Sequence, residues 1–280
     1  MPCPRPTPRL RLHKTRSLIS SSGATDMTRP GATIEAVIFD MDGVVTKSMR
    51  VHFAVWKEVF DEFLKQRGDA KPFTMEDYFA YVDGLPRFDG IRRFLASRGI
   101  DLPEGAAESL DGETVHGLGN RKNMRFQTWL EANTVPTYKD ALDVIHALKG
   151  HGVKVGVFSA SRNAERVLTS AGVIDLFDAR VDGTDASKLA LAPKPDPAML
   201  IETAKRLGAT PSTTIVVEDA VSGVAAGAAG GFRHVIGIDR EQLDSKVHAQ
   251  ALRAAGADVA TRDLGCIFSF CLPEASEARR

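Results

Sequence analysis

At 280 residues, 43% of them hydrophobic, the chain can bury a sizeable core in one large domain or two modest ones, which excludes disorder throughout. Its 36 basic and 36 acidic residues cancel to zero formal charge, so nothing draws it globally to nucleic acid or an anionic membrane, and any anionic ligand must be held by local groups. No apolar run approaches the ~18–20 residues of a bilayer span, and Cys3, Cys266 and Cys271 lie at the chain ends without metal-ligand spacing, which suits a reducing cytoplasm and excludes structural zinc.

Residues 1–33 differ in kind from the rest of the chain. Arg5, Arg9, Arg11, Lys14 and Arg16 stand among prolines and serines with no acid before Asp26, a composition that cannot make a core and is expected to be a disordered leader. Met27, just ahead of the first apolar run, is an alternative start.

From Glu35 the pattern becomes parallel α/β. The run Ala36 to Phe39 ends in acids, Val153 to Phe158 ends at Ser159, Thr214 to Val217 ends at Glu218 and Asp219, and Val235 to Ile238 ends at Asp239. Short apolar strands separated by helical stretches predict a doubly wound parallel sheet whose carboxyl ends carry the chemistry. Between the first two strands, residues 49–133 read as almost wholly helical, with Phe53, Trp56, Val59, Phe60 and Phe63 at three-and-four spacing. An insertion of this kind predicts a helical cap domain over a core made of residues 34–48 and 134–280.

The strand ends supply the candidate site. Asp40-Met41-Asp42-Gly43 places two carboxylates beyond the first strand with a glycine to turn the chain. Ser159 and Ala160 close the second strand and are expected to open a helix whose free amides suit an anion. Lys194 is pinned between Pro193 and Pro195, and Glu218-Asp219 adds two acids that need a hard cation if they face Asp40. Taken singly, each has an ordinary explanation: an incidental acid pair, an N-cap, a solvated lysine. Gly223, Gly227, Gly230 and Gly231 do not follow the dinucleotide fingerprint and are expected to serve close helix–sheet packing.

Together and in order, the DxDGV run, Ser159-Ala160-Ser161, Lys194-Pro195 and Glu218-Asp219 resemble the four motifs of haloacid dehalogenase-like phosphotransferases, over about residues 36–239. The cap resembles that of the β-phosphoglucomutases in His52, in Gly84 and Arg87 of Val82-Asp83-Gly84-Leu85-Pro86-Arg87, and in Arg121-Lys122-Asn123. Three features depart from that family: Asp83 stands where a basic residue is common, Lys47 replaces an acid, and the leader has no counterpart.

The resemblance implies a magnesium enzyme. Asp40 would be the phosphoryl acceptor and Asp42 the general acid and base, a task expected to need a raised pKa. Asp40, Asp42, Glu218 and Asp219 would hold Mg2+; Ser159, Ala160 and Lys194 would hold the transferring phosphoryl group. His52, Gly84, Arg87, Lys122, Ser161 and Asn163 would bind the sugar phosphate, with His52 restraining Asp42. It implies a mutase interconverting β-glucose 1-phosphate and glucose 6-phosphate through β-glucose 1,6-bisphosphate, with no nucleic-acid, membrane or obligate protein partner. A sugar-phosphate phosphatase is the near alternative and a phosphorylatable signalling module the distant one.

Overall fold

The computed structural model describes residues 33–68, 71–240 and 245–271. Most of the expected leader and the last nine residues therefore lie outside it.

The chain enters through β1 (Ala36–Asp40), crosses a helical insertion of α1 (Met49–Gln66), α2 (Met75–Tyr81), α3 (Arg87–Ser97) and α4 (Val115–Ala132), and returns through α5 (Lys139–Gly150). There follow β2 (Lys154–Phe158), α6 (Ala164–Ser170), β3 (Ala179–Val181), α7 (Gly183–Leu189), α8 (Ala198–Arg206), β4 (Thr214–Glu218) and α9 (Val221–Ala229). β5 (His234–Ile238), α10 (Ser245–Ala254), β6 (Val259–Thr261) and the short α11 (Phe268–Cys271) complete it. The six strands form one parallel sheet in the order β3-β2-β1-β4-β5-β6. The direction of strand addition reverses beside β1, so Asp40 ends the strand at the topological switch point, where open α/β sheets bind ligands.

Alternation along β1 explains why every residue in it is apolar until the last. Val37 and Phe39 pack with Val144, Ile145 and Leu148 of α5 on one face, while Ala36 and Ile38 pack with Leu200 and Ala204 of α8 on the other. The four longer strands fall where the apolar runs predict them. The two edge strands, β3 and β6, are not predicted by any run; each has only three residues, too few to show a pattern.

The insertion builds its own core from Trp56, Phe60, Phe63, Phe73, Phe94 and Leu118, among others. Trp56 stacks on Phe60 at 4.9 Å, and the Phe60 and Phe94 rings lie 4.4 Å apart; burying each such ring contributes about 1.5–3 kcal/mol. Residues 100–114 are irregular rather than helical, because Pro103 and the left-handed Gly99 and Gly105 interrupt them. Val55 of α1 and Phe126 and Leu130 of α4 belong instead to the sheet-face core. The two connections run side by side, with Thr46 bridged to Thr137 and the Lys47 amide donating to the Pro136 carbonyl at 2.8 Å. A separate aromatic core on two adjacent connections supports treating 49–133 as a cap domain, which we propose. Among the described residues no helix is long and apolar enough to cross a membrane, and Cys266 and Cys271 are free thiols.

Candidate active site

Beyond β1 the chain turns tightly: the amides of Val45 and Thr46 both donate to the Met41 carbonyl, at 3.0 and 2.9 Å, and the buried Thr46 hydroxyl donates to it as well. Gly43 sits at φ +85, and a Cβ there would collide with the Asp219 carboxylate. Glycine is therefore required both for the turn and for bringing the β1 and β4 loops together. Every predicted side chain except Glu218 lines a single cavity of about 320 Å3 between cap and sheet.

At its floor, Lys194 Nζ donates to Asp40 Oδ1 at 2.6 Å and also to Glu218 Oε1, with all three side chains at least nine-tenths buried. Burial opposes the Lys194 charge, but Asp40 and Glu218 together outweigh it and hold the ammonium above its ordinary range. Glu218 accepts a further bond from the Ala220 amide at 2.6 Å, and Gly223 leaves room for its carboxylate under α9. Gly227 similarly lets α9 approach Val235 of β5, so these glycines serve packing, as expected. Glu218 does not line the cavity, and its two oxygens bond the Lys194 ammonium and the Ala220 amide.

Asp40 and Asp219 are both raised well above the carboxylate range. Burial is the main cause; Lys194 then partly relieves Asp40, while Asp83, Glu218 and Asp40 add repulsion at Asp219. This surplus negative charge suits a hard cation. Among the described residues no three His, Cys, Asp or Glu side chains enclose a metal by themselves. The cavity offers the two carboxylates of Asp40 and Asp219, and magnesium prefers few carboxylates, with water and phosphate oxygens in its remaining positions.

Asp42 sits in a different environment. Its carboxylate accepts from the Ser48 hydroxyl, has Ser159 Oγ at 3.4 Å and faces His52 Nε2 at 3.5 Å, an ion-pair separation rather than a hydrogen bond. Lys122 Nζ lies 2.7 Å from His52 Nδ1; while the lysine is charged it can only donate, which puts the ring proton on Nε2, toward Asp42. Burial raises the Asp42 pKa, but His52, Ser48 and Lys122 more than offset it and the net direction is downward. The expectation of a raised value is thereby corrected: in this pocket Asp42 favours its carboxylate form. Burial and then Lys122 lower His52, while burial and then Arg87 push Lys122 down to about 7.

The far end of the cavity is cationic. Arg87, at the start of α3, donates to Asn123 Oδ1 at 2.6 Å, and the Asn163 amide donates to the same oxygen at 2.9 Å, tying cap to core. Burial and then Arg162 lower Arg87 to about 10. Ser161 and Asn163 line the wall, but α6 starts only at Ala164 rather than at Ser159. Between them the Ser161 amide donates to Ser159 Oγ and the Asn163 amide to Ser161 Oγ, each at 3.1 Å. The turn is thus held by its own hydroxyls. Gly84, at φ +69, packs against Ala220 and Ser222. Arg121 leaves the site and donates to the Leu110 carbonyl.

Sequence reasoning misses Arg162, Tyr78 and Ser187 as cavity-lining residues. Arg162 directly follows Ser161, so its place in the chain could have marked it. Ser187 depends on α7, which follows the unpredicted β3, and nothing local marks Tyr78.

Residues 34–231 match the family profile of the haloacid dehalogenase-like hydrolases. A β-phosphoglucomutase of Mycobacterium bovis is 39% identical over 238 residues, covering 82% of this chain and 90% of that protein. A Bacillus subtilis β-phosphoglucomutase is 30% identical over 194 residues, covering 69% and 78% respectively. In fold, the crystal structure of a β-phosphoglucomutase from Clostridium difficile is similar with a TM-score of 0.66 at 21% identity, covering 85% of this chain and 97% of that one.

Proposed function

The chain belongs to the β-phosphoglucomutase family of haloacid dehalogenase-like hydrolases, and from that premise we propose that it interconverts β-glucose 1-phosphate and glucose 6-phosphate in the cytoplasm. The observation that carries this reading is a cavity with two anion-holding ends: Asp40, Ser159 and Lys194 at the floor, Arg87 and Asn163 at the far end, and the Asp42 carboxylate among them. A bisphosphate fits such a cavity in either direction.

In this mechanism Asp40 Oδ attacks phosphorus in line and becomes an aspartyl phosphate, and the sugar oxygen leaves. Lys194 fixes Asp40 and offsets charge on the transferring group, while Ser159 and the Ala160 amide bind its oxygens. Asp40, Asp219 and the Asp42 carbonyl would hold magnesium, which supplies charge neutralisation to the phosphoryl oxygens. Asp42 removes the proton from the attacking sugar hydroxyl; having taken it, Asp42 returns it to the leaving oxygen in the reverse transfer. His52, held by Lys122, keeps that carboxylate aimed. Arg87, Asn163 and Ser161 grip the second phosphate, so that either end of β-glucose 1,6-bisphosphate can face Asp40 in turn.

The discriminating experiment supplies β-glucose 1-phosphate with a catalytic amount of glucose 1,6-bisphosphate and magnesium. Glucose 6-phosphate formed without stoichiometric inorganic phosphate supports the mutase. Inorganic phosphate released in step with substrate loss would replace it with a sugar-phosphate phosphatase, in which water takes the phosphoryl group from Asp40. A phosphorylated chain that turns over no sugar phosphate would mark a signalling module.

A further inference from the structure

The cap brings two acids to the cavity lining, Asp83 and Asp89, and of these Asp89 is paired with Arg92 at 2.7 Å. Asp83 lies on the loop between α2 and α3, accepts a hydrogen bond from the buried Tyr78 hydroxyl, and lines the same cavity as Asp40 and Asp219. The loop is pressed onto the β4–α9 turn immediately beside Asp219. A Cβ on Gly84 would come within 2.9 Å of both Ala220 Cβ and Ser222 Oγ, and the Ser222 hydroxyl is buried there without a partner among the described residues.

The neighbouring cations are committed elsewhere: Lys194 to Asp40 and Glu218, Lys122 to His52, and Arg87 to Asn123. Bringing the cap down therefore moves a carboxylate against the acids of the core, offset only in part by Lys194, which is already bonded to Asp40 and Glu218. The cap stands on two adjacent connections bridged at Thr46 and Thr137.

We propose that Asp83 couples cap closure to the cation held at Asp40 and Asp219, opposing closure when the cation is absent and sharing in its neutralisation when it is bound. This rests on the cation site assigned under the proposed function, although not on the sugar that the enzyme takes. Coupling of this kind is reciprocal: the cation favours the closed cap, and the closed cap binds the cation more tightly. Asp83 is a positioning residue here, since it acts through the cation rather than on the reacting atoms.

The test is amide hydrogen exchange of residues 82–87 in the full chain, without substrate, in EDTA and in saturating magnesium. In the wild type, magnesium should slow exchange of this loop by about ten-fold, the middle of the usual range for coupled sites. Asp83→Asn, nearly isosteric, should be protected already in EDTA and respond little to magnesium, whereas Asp83→Glu should restore the response. An Asp83→Asn loop that responds as the wild type does, or a wild-type loop indifferent to magnesium, overturns the proposal. Asp219→Ala separates the two ideas. If it abolishes the response while Asp83→Asn keeps it, the cation site stands and the role of Asp83 falls. If Asp219→Ala leaves the response intact, the cation assignment falls and takes the proposal with it.

Discussion

Lys194 Nζ lies 2.6 Å from Asp40 Oδ1 and also bonds Glu218, so the proposed nucleophile is fixed by a lysine that is itself fixed by a residue outside the cavity. Asp40→Asn should fold and lose turnover by several orders of magnitude, because an amide cannot accept the phosphoryl group. Steady-state kinetics on folded protein checks this, and more than residual turnover would reject Asp40 as the acceptor.

Removing the lysine is a different injury. Lys194→Met leaves Asp40 and Glu218 buried without their shared cation, and breaking a buried pair in this way typically costs about 3–5 kcal/mol. Urea denaturation should show a clear loss of stability alongside the loss of activity. Should Lys194→Met lose activity at wild-type stability, the lysine would be catalytic without anchoring the floor.

Glu218 and Asp219 are adjacent in sequence and predicted to differ in role. Asp219→Ala should raise the magnesium concentration needed for half-maximal activity, since it removes one of two carboxylates offered to the cation. Glu218→Gln should lower kcat through Lys194 while leaving that concentration nearly unchanged. Parallel magnesium titrations decide it, and equal shifts in both variants would return Glu218 to the metal.

Asp42 contributes one ionisation to the acid side of the pH profile, distinct from that of Asp40, which lies higher. Its pKa is lowered in the folded protein, with burial opposing and His52 the largest of the favourable causes. The acid limb of kcat/KM assigned to it should therefore lie below the ordinary aspartate value of about 3.9. By linkage, the stability contributed by this depressed group is present above the unfolded value and lost as pH falls through the folded one. His52→Ala removes that largest favourable cause and should move the limb upward. An unmoved limb would assign it to another acid.

How far the sequence discloses this site depends on how local each determinant is. The acids that end β1 and β4 are legible because a buried parallel strand is apolar until it reaches the pocket, and then abruptly is not. The edge strands are not legible: Ala179-Arg180-Val181 carries no period in three residues, and α7 with Ser187 is hidden along with it. The direction of the Asp42 shift is beyond reach for a related reason. It depends on His52 and on Lys122, which is 70 residues from His52 along the chain and meets it only when α1 and α4 pack side by side. Arg121, Lys122 and Asn123 form one motif by eye, yet successive helical residues point about 100° apart. Two of them reach the cavity side while Arg121 turns to the Leu110 carbonyl.

The far end of the cavity is where the mutase reading is most exposed. Chemistry at Asp40 needs only the transferring phosphoryl group and its cation, whereas isomerisation needs a second phosphate held while the sugar presents either end. Arg87 is suited to that grip. Its guanidinium is anchored on Asn123, which Asn163 of the core also binds, so the fork is oriented before substrate arrives. Arg87→Ala should thus depress mutase turnover far more than hydrolysis of a small non-sugar phosphate ester. Losing a charge-assisted contact costs about 1.5–3 kcal/mol, or roughly ten- to a hundred-fold in rate. Asn123→Ala, which frees the guanidinium without removing it, should lose less and mainly through KM. The two activities are measured side by side on each variant. Equal losses in Arg87→Ala would mean that the arginine supports the cap's structure through Asn123, and no loss in either would put the second phosphate elsewhere and favour the phosphatase.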